Sequence, residues 1–351
     1  MRKIEKSELI SFCAKSLEAA GMSSADASIT AQVLTETDAL GINSHGTKNL
    51  FGYIKKARAG GMSLTAQPVI EKEGPAYALI NANNCIGMVS SHMAMELAIK
   101  KAAECGIALV TVKNGTHFGA AGAYSNMAAK AGMLGIAMSN VDPNMTIPGA
   151  RGMILGNNPL SYASPLESMP SCFLDIAMSN VASLKVVQAR KDGKSIPDSW
   201  IVDKDGLPTT DPSHYPEEGA MQPMSAHKGY GLAVLVELLT GALSGGCISS
   251  LGEITSWCFD PEKPNNVSNT FIVVDVDKFA GKENYIARSE SFISALHNTD
   301  KAKNAQRIFV PGEIEWERYN VSPDMLQLPD AVIDSLEELS ADCGISLNWV
   351  S

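Results

Sequence analysis

The chain has 351 residues, 45% of them apolar and 19% charged, enough to bury one large core or two smaller ones and too apolar for disorder. Its formal charge of -10, with lysines and arginines scattered and no basic run or arm, argues against a nucleic-acid partner. The opening Met-Arg-Lys-Ile-Glu-Lys-Ser-Glu alternates charge where a secretion signal would be apolar. The longest apolar helical stretch, Gly231 to Leu243, is short and carries Glu237, so no membrane association is expected.

The first sixty residues read as helical. Leu9, Ile10, Cys13 and Leu17 recur at helical spacing before a stop at Gly21. Ser23 and Asp26 form a capping-box-like start for a second helix, which Ile29, Val33 and Leu40 continue to Gly41. After the short segment Ile42 to Gly46, a third helix is expected from about Lys48 to Ala59. From about residue 75, strands alternate with helices: Tyr77 to Ala82, a helix through Met93 and Leu97, Ile107 to Val112, a helix near Ala120 to Ala131, and Leu134 to Met138. This is the texture of an α/β sheet domain. A turn at Gly156 to Pro159, a strand ending near Asp175, a Pro- and Asp-rich loop from Ile196 to Pro212 and a helix opening at Lys228 follow. Near the other end, Pro329 is expected at a first helical position, with Val332, Ile333, Leu336 and Leu339 on one face and Gly344 as the stop. That helix is expected to pack beside the N-terminal ones.

His45 and His117 sit in short glycine-containing segments between predicted elements, a placement that suits reacting groups and equally suits hydrogen-bonded loop histidines. His117 follows a strand and precedes a helix, near the carboxyl end of the sheet, where open α/β sheets gather ligands. Ser44 beside His45 does not make a hydrolytic triad. It suits proton transfer, with imidazole as donor and hydroxyl orienting a substrate oxygen, or else simple capping of the next helix. No G-x-G-x-x-G follows a predicted strand, which disfavours a Rossmann domain. Lys228-Gly229-Tyr230-Gly231 at a helix start and Pro311-Gly312-Glu313 near the end of the sheet region are alternative places to hold a dinucleotide, each weak alone. His45, His117 and His227 match no zinc spacing, and no metal is expected. The seven cysteines, odd in number and never in a C-x-x-C pair, read as reduced thiols of a cytoplasmic chain.

In order along the chain, Asp38 to Gly46, Gly115 to Gly119, Asn140 with Pro143, Pro148 and Gly149, Gly156 to Pro159, Ile196 to Trp200, Asp203 to Pro212, Lys228 to Leu232 and Pro311 to Glu313 resemble the malate/L-lactate dehydrogenase-like oxidoreductase family over nearly the whole length. The resemblance implies an α/β fold with a non-Rossmann, dinucleotide-binding mixed-sheet domain, residues 75–313. A helical domain is built from both chain termini, residues 1–74 joined by 314–351, and the assembly is a homodimer. It implies hydride transfer between NAD(H) or NADP(H), with NAD(H) favoured, and the alpha carbon of a small 2-oxo or 2-hydroxy carboxylic acid. His45 and His117 fall on its proton-transfer positions, with Ser44 and Asp175 assisting. Asp175, Ile176, Ala177, Lys228, Gly229, Pro311, Gly312 and Glu313 fall on cofactor contacts, and Lys48, Asn49 and Asn140 are the substrate-binding candidates. The family's Ser-His-Gly-x-x-Arg ends here in Asn49, Ala150 stands where a second glycine is common, and Leu184 precedes Lys185 where glycine is usual. These departures leave a second expectation open, a dinucleotide-binding member with altered or lost turnover. A hydrolase or lyase pairing His117 with Asp142 or Asp175 ranks last, lacking a nucleophile or metal set.

Overall fold

Leu9, Phe12, Cys13 and Leu17 all turn inward from the helix Lys6–Ala19, as their spacing dictates. The next helix, Ser24–Ala39, begins where Ser23 accepts the Asp26 amide at 3.2 Å and donates to the Asp26 carboxylate at 2.8 Å. A short turn of 3-10 helix, Thr47–Asn49, leads into the helix Leu50–Arg58. At the other end of the chain, the helix Asp330–Cys343 buries Val332, Ile333, Leu336 and Leu339 and stops at Gly344 in the left-handed conformation. Pro329 is the residue just before it, one position earlier than the sequence suggests. This last helix shares a core with Ile4, Leu9 and Leu17. The two ends also pair as strands, Arg2–Glu5 antiparallel to Met325–Leu328, elements too short to show a period. The computed structural model describes residues 1–350.

A seven-stranded mixed sheet fills the centre, in the order Val69–Gly74, Tyr77–Asn81, Ile107–Gly115, Val267–Val274, Leu134–Ser139, Leu160–Ser164, Cys172–Ile176. Only Tyr77–Asn81 and Ile107–Gly115 run parallel, joined through the helix Gly87–Cys105, and every other neighbouring pair is antiparallel. Such a sheet is not the parallel stack of a Rossmann domain. Its middle strand, Val267–Val274, is absent from the sequence-based reading. Ser268, Asn269 and Thr270 are fully buried there, and their polar side chains bond neighbouring strands and helix, as in Asn269 Nδ2 to Ser139 Oγ at 2.9 Å and Thr270 Oγ1 to the Leu239 carbonyl at 2.6 Å. A polar run of this kind reads as loop until its partners are known.

One apolar core runs without a break from Leu9 and Leu34 through Met95 and Ala98 to Val110 and Phe271, so helical ends and sheet are packed as a continuous body. A smaller core around Met145, Met178, Ile201 and Met221 supports a three-stranded sheet of Ile201–Val202, Pro208–Thr209 and Ala220–Met221. The stretch Ile196 to Pro212, expected as loop, therefore contributes two strands, closed by a turn in which the Asp203 carboxylate accepts the amides of Asp205 and Leu207. The helix His227–Glu237 continues as a π-helical turn, Leu238–Ala242. Among the described residues no helix is long and apolar enough to cross a membrane.

Candidate active site

The loop that carries His45 is built around a buried carboxylate. Asp38, near the end of the helix Ser24–Ala39, accepts the Thr47 amide at 2.9 Å and the Thr47 hydroxyl at 2.5 Å. A Cβ on Gly46 would lie 2.1 Å from Asp38 Oδ1, so the chain can pass there only as glycine. Burial pushes the Asp38 carboxyl up to about 7, against the pull of the two Thr47 bonds. Beyond this anchor, Ser44 Oγ lies 2.8 Å from His45 Nδ1, and Asn49 Nδ2 donates to the Ser44 carbonyl at 2.9 Å. Gly46, not Ser44, precedes the turn Thr47–Asn49, so the serine hydroxyl serves the imidazole and caps no helix.

His117 enters from the opposite side, between the strand Ile107–Gly115 and the helix Ala121–Lys130. The two imidazole rings stack at 5.6 Å between centroids, 24° from parallel. His117 Nδ1 is 2.7 Å from Tyr53 Oη and accepts the Gly119 amide at 3.3 Å, which puts the neutral ring's proton on Nε2. Trp257 covers the same ring, 5.0 Å away and 29° from parallel, and lies 5.1 Å from Tyr53. Among the described residues, neither histidine Nε2 has a hydrogen-bond partner. Burial, with His45 alongside, lowers the His117 pKa to about 3, and burial lowers that of His45 too, so both rings are neutral at pH 7.

Asp175 stands at the end of the edge strand Cys172–Ile176. Its Oδ2 accepts the Gly122 amide at 2.7 Å, in the first turn of the helix that follows His117. Burial pushes this carboxyl up to about 6, and the Gly122 bond opposes the shift. The three segments that sequence reasoning assigned to a cofactor meet along this strand. Ile176 is its last residue and Ala177 follows it, and the Phe173 amide donates to the Pro311 carbonyl at 3.2 Å. The amide of Met224 donates to the Met178 carbonyl at 2.7 Å, and that of Gly229 to the Met224 carbonyl at 2.8 Å. Lys228 is exposed in the first turn of the helix His227–Glu237, where its ammonium and the positive end of the helix dipole suit a phosphate, while the amides of Lys228, Gly229 and Tyr230 are taken up by the carbonyls of Ser225, Met224 and Ala226. Pro311 is exposed, and Gly312 precedes a helix, Glu313–Val321, that sequence reading left out. The Glu313 carboxylate is held by its own neighbours, the Val310 amide, His297 and Arg307.

Asn140 does not join the imidazoles as a free substrate contact. It is fully buried, its Oδ1 accepts the Ser268 amide at 2.7 Å, and its Nδ2 donates to the Cys247 carbonyl at 2.9 Å and to Glu237 at 3.1 Å. With Asn158 and Ser249 it satisfies the buried Glu237 carboxylate and locks the π-helical turn in place. Lys48 is half-buried, and its carbonyl accepts the Ser335 hydroxyl at 2.7 Å. Sequence reasoning missed Tyr53 and Trp257. Tyr53 sits on a helix face where an aromatic reads as core, and Trp257 lies in a loop with no period to flag it.

The sequence profile of the malate/L-lactate dehydrogenase family matches residues 4–337. The chain belongs to that family. A malate dehydrogenase of Pyrococcus horikoshii is 36% identical, the match covering 89% of this chain and 87% of the relative. An Escherichia coli K12 protein named ureidoglycolate dehydrogenase (NAD(+)) is 32% identical over 89% of this chain and 88% of its own. Among solved structures, the sulfolactate dehydrogenase of Methanocaldococcus jannaschii superposes with a TM-score of 0.90 at 32% identity, covering 98% of both chains. As a member, this chain is a nicotinamide-dependent oxidoreductase of 2-hydroxy acids built on a non-Rossmann mixed sheet.

Proposed function

We propose that the chain moves a hydride to or from the alpha carbon of a small 2-oxo or 2-hydroxy carboxylic acid, using NAD(H) in preference to NADP(H), with His45 and His117 exchanging the proton at the adjoining oxygen. The observation that carries this reading is the pair of stacked, neutral imidazoles, each with Nδ1 tied to a hydroxyl and Nε2 left without a protein partner. Nicotinamide, when bound, supplies or takes the hydride. Asp175, Ile176, Ala177, Lys228, Gly229, Pro311 and Gly312 would hold the dinucleotide along the edge strand, with Glu313 fixing the turn beneath it.

In the oxidising direction, the uncharged His45, carrying its proton on Nδ1 toward Ser44, accepts the substrate hydroxyl proton on Nε2 as the carbon loses hydride, while His117, already protonated on Nε2, donates a hydrogen bond to the same oxygen. In the reducing direction, the His45 ring must first carry a proton on Nε2 as well. The negative charge of a bound acid favours that, because a nearby anion raises an imidazole pKa. The Ser44 hydroxyl holds His45 in one orientation, and Tyr53 does the same for His117. Lys48 and Asn49 are the candidates to hold the acid, although the Asn49 amide is already bound to the Ser44 carbonyl. That engagement favours a second reading, a dinucleotide-binding member with altered or lost turnover. We also assign the working form as a homodimer in the cytoplasm. Leu232, Leu235, Leu238 and Leu243 leave an exposed apolar stripe on one helix, which a second copy would cover.

A panel of dicarboxylic, sulfonated, sugar-derived and cyclic imino acids, offered with NADH and NADPH in turn, tests the proposal. Oxidation of NADH by at least one 2-oxo acid is expected. Thermal stabilisation by NADH with no turnover of any acid would favour the second reading.

A further inference from the structure

The wall over His117 comes from a stretch with no regular structure. Residues 253–266 form neither helix nor strand, yet this segment places Trp257 on the imidazole and against Tyr53. Its base is closed by Thr255 and Asn265, whose backbone and side chains bond each other. Its middle is held by one side chain from another element. Lys56, on the helix Leu50–Arg58, is 1% exposed, and its Nζ donates to the carbonyls of Asp260 at 2.8 Å and Lys263 at 2.7 Å. Among the described residues it has no carboxylate within ion-pair distance, since Asp260 pairs with Lys263 at 2.9 Å. An ammonium is rarely sealed in on two backbone carbonyls alone, and a buried charge is costly unless its bonds are needed. The helix and the loop fit closely on either side of it. A Cβ on Gly52 would come within 3.1 Å of the Trp257 ring, and one on Gly61 would lie 2.2 Å from the Pro261 carbonyl.

We infer that Lys56 is a positioning residue, a buried ammonium staple that seats the 253–266 loop so that Trp257 closes the His117 side of the acid-binding site. The inference rests on the proposed function for its kinetic arm and on geometry alone for its structural arm. Lys56 touches no reacting atom. Its removal releases the loop, Trp257 leaves the imidazole face, and the acid loses a wall that contributes to binding before and during reaction alike, which raises KM more than it lowers kcat.

The test compares the parent with Lys56→Met, Lys56→Arg, Trp257→Ala and the double variant Lys56→Met with Trp257→Ala. Gly52→Ala is added as a variant that strengthens its helix while pressing on Trp257. Kinetics are run with NADH and whichever of oxaloacetate or pyruvate the parent reduces, and acrylamide quenching of Trp257 is isolated by subtraction of Trp257→Phe. Lys56→Met is expected to raise KM for the acid five- to tenfold, change kcat less than threefold, and double the quenching of Trp257. Lys56→Arg, which can still reach both carbonyls, restores most of the loss, and Gly52→Ala moves KM in the same direction. The double variant should be no worse than Trp257→Ala alone, because both act through one wall. Unchanged quenching in Lys56→Met, or effects that multiply in the double variant, would overturn the inference. If the parent reduces neither acid, the proposed function is what suffers, and quenching in Lys56→Met and Gly52→Ala decides the staple by itself.

Discussion

The imidazole pocket and the edge strand Cys172–Ile176 belong to the same α/β body and are built on opposite principles. Around His45 and His117 the neighbours are aromatic rings, two hydroxyls and an amide, and burial keeps both rings uncharged. Beside the edge strand, Lys228 at a helix start and Pro311 are exposed. The contrast teaches a division of labour. On the proposed function, the enclosed region sets the protonation state of a reacting group, and the open one supplies charge for a ligand that must arrive and leave.

The largest expected effect comes from breaking the enclosed region. His117→Asn and His45→Asn should each lower kcat by about 10²- to 10⁴-fold with the circular dichroism spectrum unchanged, and parent rates in both would remove the proton-transfer roles. Next is Tyr53→Phe, which leaves His117 Nδ1 without its hydroxyl partner. We expect roughly a tenfold loss in kcat, measured beside an unchanged KM for cofactor. On the open side, Lys228→Met should raise the KM for NADH by about tenfold and flatten its dependence on salt while kcat stays near the parent value, as expected for a charge used in binding.

The smallest effect in rate, though not in stability, concerns the carboxylate under the His45 loop. Folding raises the Asp38 pKa from 3.8 to about 7, so the folded state favours the protonated acid. Its contribution is full below pH 3.8 and is lost as pH rises through 7, a swing of at most about 4 kcal/mol. His117 runs the other way. Its folded pKa of about 3 lies below the ordinary 6.5, so its contribution is present above pH 6.5 and is lost on acidification. Urea unfolding of the parent and Asp38→Asn at a series of pH values isolates the first effect, and the gap between them should move in favour of the variant from pH 4 to pH 8. A gap that stays constant would mean that Asp38 is ionised throughout.

Much of the fold is legible in the sequence where elements are long and their polar residues face water. Helical spacing of Leu9, Cys13 and Leu17, the Ser23 cap and the Gly344 stop all appear as expected. The central strand escapes because three of its buried positions are polar, and the strands at Ile201 and Pro208 because turn residues crowd them. Glycine-flanked loop histidines mark His45 and His117, but no local pattern states that residues 72 positions apart will stack. Tyr53 and Trp257 are invisible for the same reason, their role being defined only by what they touch. Asn140 misleads in the other direction. A buried asparagine that completes a carboxylate's bonds looks, in sequence, like one free to meet a ligand.

The place of Val267–Val274 bears on how the chain is made. This strand bonds Leu134–Ser139 across a separation of 130 residues and Ile107–Gly115 across 158. A ribosome that has released the first 250 residues holds a nascent chain whose two sheet halves have nothing between them, each exposing strand edges to other chains. Assembly must wait for the late segment, and chaperone protection during that interval is the expected cost of a topology so rich in distant pairings.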